Sequence, residues 1–134
     1  VATGAGLSAA HAAAARRLRQ AVAAAPFMVA GSERLDTRVM QRLGERVCCK
    51  VGAEGVYCAA LPARGLGVAI KVDDGATRAA EVAMATAIET LVSLDDDERA
   101  FVHGLADVRV VNWNGLEVGA LRATPALRDA LAAA

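Results

Sequence analysis

Apolar residues recur along this chain in two rhythms, one of helical period and one that alternates. Residues 9–24 are mostly alanine with Arg16, Arg17, Arg19 and Gln20, a composition that favours helix. Ser8 can cap this helix. Leu7, Ala10, Ala14, Leu18 and Ala21 recur at helical spacing as its expected buried stripe. Residues 26–32 break the pattern, with Phe27 and Met28 expected as core plugs. Asp36 or Thr37 can cap a second helix with Val39, Met40 and Leu43 inward and Gly44 at its end. The rhythm then changes. Residues 47–61 form two runs rich in Val, Cys and Tyr around a glycine-bearing bend, which predicts a hairpin. Residues 62–65 turn, and residues 66–72 predict a third strand of an antiparallel meander.

The helical period returns after Asp73-Asp74-Gly75. Asp74 is an expected cap for the longest helix, residues 76–92, with Ala80, Ala83, Met84, Ala87, Ile88 and Leu91 on one face. Residues 93–97 stop it and cap a shorter helix, in which Phe101, Val102 and Leu105 point inward. Strands are expected over 108–112 and 116–123, joined through Asn112-Trp113-Asn114-Gly115. Thr124-Pro125 opens a last helix. Residues 1–7 read as a lead-in. The fold class expected is α/β in the α+β sense, an antiparallel sheet packed with helices.

Composition narrows the function. The chain has 134 residues, one domain's worth or part of a larger domain. Fifteen basic and fifteen acidic residues balance to a net charge of zero, which argues against a nucleic-acid surface. No apolar run approaches the roughly 18 residues of a membrane span, and no signal pattern opens the sequence. The expectation is a cytoplasmic protein with neither nucleic-acid nor membrane partners. Three cysteines, two of them adjacent, make neither a disulfide framework nor a metal spacing. Cys48, Cys49 and Cys58 are expected as buried thiols. About a quarter of the residues are alanine, which offers little burial per residue and suggests a partner surface; the half-domain reading given below makes the expected partner a second copy, in a homodimer.

The candidate chemistry centres on Lys50. A lysine in so apolar a strand must reach water, find a partner or lose its charge. It can therefore be a catalytic group or an edge-strand lysine that blocks aggregation. Gly52 and Gly55 let the backbone bend and leave room for a ligand. Asp73 and Asp74 read as catalytic carboxylates or as a helix cap that complements the dipole, and can pair with Lys71. Gly4-Ala5-Gly6-Leu7-Ser8-Ala9 has a dinucleotide-like spacing without the strand it requires.

Three segments carry a resemblance. Val29-Ala30-Gly31 with Asp36-Thr37, then Lys50-Val51-Gly52-Ala53-Glu54-Gly55-Val56, then Gly65-Leu66-Gly67-Val68-Ala69-Ile70-Lys71-Val72-Asp73-Asp74-Gly75 resemble the C-terminal part of the rhizobial-type, type-II L-asparaginases. Asn112-Trp113-Asn114-Gly115 and Val118-Gly119 are similar to that family's end. The family is similar in fold to serine β-lactamases, penicillin-binding proteins and glutaminases, in which a Lys-Thr-Gly strand lines the active site beside a Ser-x-x-Lys nucleophile. The resemblance therefore implies half of such a domain. It implies Lys50 as a catalytic residue, and Gly52, Ala53, Glu54 and Gly55 as substrate-binding or oxyanion residues. Ala53 matches the position whose N–H helps form the oxyanion hole. Val51 stands where relatives carry a hydroxyl.

The sequence contains no Ser-x-x-Lys and no Asp-Gly-Cys-Gly. The family's chain is more than twice this length. Residues 1–134 are thus expected to be the C-terminal segment of one asparaginase-like domain, inactive alone, with no cofactor of its own and a possible zinc site in the preceding part. The implied reaction is hydrolysis of L-asparagine to L-aspartate and ammonia. A glutaminase or other serine amidase, and a non-catalytic interaction or structural domain, are the alternatives.

Overall fold

The computed structural model describes residues 3–134; Val1 and Ala2, the start of the expected lead-in, lie outside them. The fold is the mixed α+β arrangement expected, with six α-helices and two small antiparallel sheets among the described residues. The chain divides into two compact units. One holds the residues up to Gly52 with Tyr57–Ala69, and the other holds Ala53–Val56 with Ile70–Ala134.

The first unit opens with α1 (Ala9–Ala24), where the Ser8 side chain accepts the His11 N–H. Its expected stripe is the wrong face. Leu18 is 67% exposed, and the half-buried residues are Ala12, Ala13, Ala15, Arg19, Val22 and Ala23. An alanine-rich helix has almost no amphipathic signal to orient it. α2 (Phe27–Ala30) is one turn long. It leaves Phe27 and Met28 56% and 81% exposed, so neither is a core plug. α3 (Leu35–Leu43) buries Leu35, Val39, Met40 and Leu43, and Gly44 ends it at φ 58°. Gly44 is well suited to that left-handed backbone. The strand β1 (Cys48–Val51) pairs antiparallel with β2 (Val56–Leu61), Lys50 opposite Cys58 and Val51 opposite Tyr57. β3 (Leu66–Lys71) completes the three-stranded sheet in the order β1-β2-β3. Val47, Cys49, Tyr57, Ala59 and Leu61 join the α3 residues in the buried set. The thiols alternate with the strand pleat. Cys49 is buried, Cys48 is half-buried, and Cys58 is exposed. Burial of all three, as expected from their apolar neighbours, therefore fails at Cys58.

The second unit is built on α4 (Thr77–Leu91), which buries Ala80, Val82, Met84, Ala85, Ala87, Ile88 and Leu91. Ala83, expected on that face, is half-buried. Asp74 is not the cap residue. Its carboxylate accepts the Ala76 N–H at 2.8 Å, and Ala76 occupies the cap position. α5 (Asp96–Ala106) starts with a reciprocal capping box between Asp95 and Glu98, which satisfies two main-chain donors at once. It runs through Gly104 and buries Val102 and Leu105. β4 (Asp107–Val111) and β5 (Glu117–Arg122) form a two-stranded sheet, and Thr124 caps α6 (Pro125–Ala132). Glu89 on α4 ties this unit's helices together. One oxygen lies 2.8 Å from His103 Nδ1, and the other accepts from Arg128 at 3.2 Å. No helix among the described residues is long and apolar enough to cross a membrane.

Candidate functional site

In the first unit, the Lys50-Val51-Gly52 segment closes β1, and Lys50 and Gly52 are both exposed. Lys50 shares the outer face of the hairpin with Cys58, its cross-strand partner. Its amine folds forward and donates to the Val51 carbonyl at 2.7 Å. Val51 is held at its other end as well, because its N–H donates to Asp36 Oδ1 at 2.9 Å. Asp36 is fully buried. Among the described residues, its second oxygen, Oδ2, is buried without a hydrogen-bond partner.

The expected cap role for Asp36 or Thr37 does not hold. Arg34 occupies the cap position, and both side chains turn inward to distant main-chain groups. Thr37 Oγ1 donates to the Gly31 carbonyl at 2.7 Å. Two buried polar side chains on adjacent residues of α3 thus tie the Gly31 loop and the Lys50 strand to one helix. A buried polar atom unpaired with its partner costs about 1–3 kcal/mol, so these bonds fix both segments. Sequence reading missed this role for Asp36, although a signal existed. Asp36, Val39, Met40 and Leu43 share the i, i+3, i+4, i+7 stripe that faces the core. A carboxylate on such a stripe needs a partner.

The thiols beside this segment respond to the same burial. Burial pushes the Cys49 thiol strongly up, and the charges of Asp36 and then Cys48 add to it. Burial also raises Cys48, partly offset by Arg19. Both thiols are therefore held in the neutral, weakly nucleophilic form.

In the second unit, Ala53, Glu54 and Gly55 form the bend. The Val56 N–H donates to the Ala53 carbonyl at 3.2 Å, and both central residues are left-handed, Glu54 at φ 55° and Gly55 at φ 70°. Two positive φ values match the mirror-image turn that suits a twisted hairpin. Gly55 is buried, and a Cβ there would lie 3.0 Å from Gly75 Cα and from Val72 Cβ. Glycine is thus required twice, by conformation and by space. Val72 N–H donates to the Gly55 carbonyl at 3.0 Å. The Lys71 amine donates to the carbonyls of Glu54 at 2.8 Å and Val72 at 2.6 Å. These main-chain carbonyls, rather than the expected Asp73 and Asp74, are the partners found for Lys71. Among the described residues, no three His, Cys, Asp or Glu side chains gather as a metal site.

Each resemblance segment is therefore stitched to another within its own unit, Gly31 and Val51 through α3, and the Ala53–Val56 bend to the Lys71–Gly75 turn. A family model described as L-asparaginase II matches residues 1–123. The chain belongs to the L-asparaginase II family. No curated protein matches it. The family match spans both units, α1 to the end of β5. All five residues singled out for this family, Lys50, Gly52, Ala53, Glu54 and Gly55, lie within it.

Proposed function

We propose that this chain is the C-terminal segment of an L-asparaginase-like amidohydrolase that hydrolyses L-asparagine to L-aspartate and ammonia. The serine nucleophile lies outside residues 1–134, which contain no Ser-x-x-Lys. The serine hydroxyl attacks the side-chain amide carbon of asparagine, its proton passes to the departing nitrogen, and ammonia leaves an acyl-enzyme. Water then cleaves that ester and restores the serine. The single observation that carries this reading is the family match over residues 1–123. The exposure of the Lys50 amine, on a strand end fixed from inside, agrees with it.

Lys50 is the catalytic residue of this segment. A lysine there assists proton transfer or holds the substrate carboxylate. By the same resemblance Gly52, Ala53, Glu54 and Gly55 are substrate-binding residues, with the Ala53 N–H as an oxyanion donor. The zinc site that the resemblance implies would lie in a part of the enzyme outside residues 1–134. A homodimer in the cytoplasm completes the proposal.

Ammonia release tests the reading. The full-length enzyme is expected to deamidate asparagine in preference to glutamine, and the isolated 134-residue chain to release none. Preference for glutamine would reassign the substrate. Turnover by the isolated chain would show that the nucleophile is misplaced.

A further inference from the structure

We propose that Asp36 is a positioning residue for Lys50, acting through the peptide groups of Val51. The inference rests on the reading of Lys50 as an active-site lysine. Val51 is gripped at both ends: its N–H by the Asp36 carboxylate at 2.9 Å, its carbonyl by the Lys50 amine at 2.7 Å. The Lys50 amine is thus anchored to a residue whose own place is set from the interior of the unit. Among the described residues, the Val51 carbonyl is the hydrogen-bond partner found for the Lys50 amine.

The identity of residue 36 supports a role beyond packing. One main-chain N–H needs only one neutral acceptor, and Asn would supply it. Asp36 instead carries a second carboxylate oxygen, fully buried and unpartnered. Such a group is expensive to desolvate, and each one in a native fold calls for an explanation. The oxygen that does pair holds the Val51 N–H at 2.9 Å from a fully buried side chain. Asp36 touches no substrate in this account; it acts only by fixing where Lys50 stands.

Steady-state kinetics of the full-length enzyme decide the matter, with each variant first shown by circular dichroism to be folded at the assay temperature. Asp36→Ala is expected to lower kcat for asparagine about a hundredfold, the effect of roughly 1 Å of misplacement. KM should move far less, since the loss falls on the chemical step. Asp36→Asn, which restores an oxygen to the Val51 N–H, should recover most of that loss. If Asp36→Ala does not fold, Asp36→Ser leaves space for a bridging water and is expected to lose at least tenfold in kcat. A folded Ala or Ser variant with wild-type kcat overturns the inference, as does an Asn variant no better than Ala. Lys50→Met in the same series separates the two readings. If it is inactive while Asp36→Ala turns over normally, only the Asp36 inference falls. If it is active, both fall.

Discussion

The Lys71 amine donates to the Glu54 carbonyl at 2.8 Å, so a lysine at the end of β3 holds a non-glycine residue in the left-handed region. That conformation costs about 1–2 kcal/mol for an L-residue. The clamp offsets part of it. Lys71 is exposed, so water competes for its amine. Lys71→Met is expected to cost only about 1 kcal/mol, near the net worth of an ordinary hydrogen bond. The thermal midpoint should fall by a few degrees. An unchanged midpoint would show that the bend needs no clamp.

Gly55 and Gly115 share a left-handed φ, 70° and 78°, but differ in their surroundings. A Cβ at Gly115 would meet nothing within 4 Å, whereas one at Gly55 meets the Gly75 backbone at 3.0 Å. Gly115→Ala should therefore cost about 1–2 kcal/mol, the conformational term alone. Gly55→Ala adds overpacking of about 1–3 kcal/mol against atoms that cannot swing aside. Urea unfolding of the two variants measures the difference. Equal losses would place the Gly55 bend in open space.

Thiol reactivity should rank with burial. Cys58 is expected to react first with a thiol reagent under native conditions, half-buried Cys48 more slowly, and buried Cys49 only on unfolding, because burial raises the latter two thiols and holds them neutral. Mass spectrometry of partly labelled protein gives the order. Early labelling of Cys49 would contradict the β1 register.

The raised Cys49 thiol also makes stability depend on pH. Below the ordinary thiol range Cys49 is neutral in both states, and its contribution is fully present. Above about pH 8.5 the unfolded thiol ionises while the folded one does not. Stability is then lost as pH rises, at up to about 1.4 kcal/mol per unit. Cys49→Ala should be less stable at neutral pH through its cavity, yet show a shallower alkaline decline. Parallel curves for both proteins would mean that Cys49 ionises freely in the fold.

The parts of this fold legible in sequence are those with a strong local signal. The β1–β2 hairpin, the inward Val39, Met40 and Leu43, and the Ser8 and Thr124 caps stand where pattern and turn chemistry put them. α1 was legible as a helix but not in its facing, since alanine at nearly every position gives no stripe. Phe27 and Met28 misled because hydrophobicity alone does not say that one turn of helix will point them outward. Asp36 was hidden for a different reason. Its partner is a main-chain N–H fifteen residues away, and every residue type but proline offers the same donor. The candidate site residues carry a family resemblance and no periodic signal. Structure adds what holds them, Asp36 for the Lys50 segment and Lys71 for the bend.

The central claim is that Lys50 serves chemistry whereas Lys71 serves the fold. Both are exposed lysines whose amines bond main-chain carbonyls, but Lys50 reaches only the adjacent Val51, whereas Lys71 also reaches Glu54 in the bend. The most direct measurement is the turnover number for asparagine of Lys50→Met and Lys71→Met in the full-length enzyme, with the thermal midpoint of each. The account predicts a loss of about a hundredfold or more in turnover for Lys50→Met, the usual scale of a proton-transfer group, with its midpoint unchanged. It predicts a lower midpoint for Lys71→Met with turnover largely kept. Near-normal turnover by Lys50→Met would contradict it.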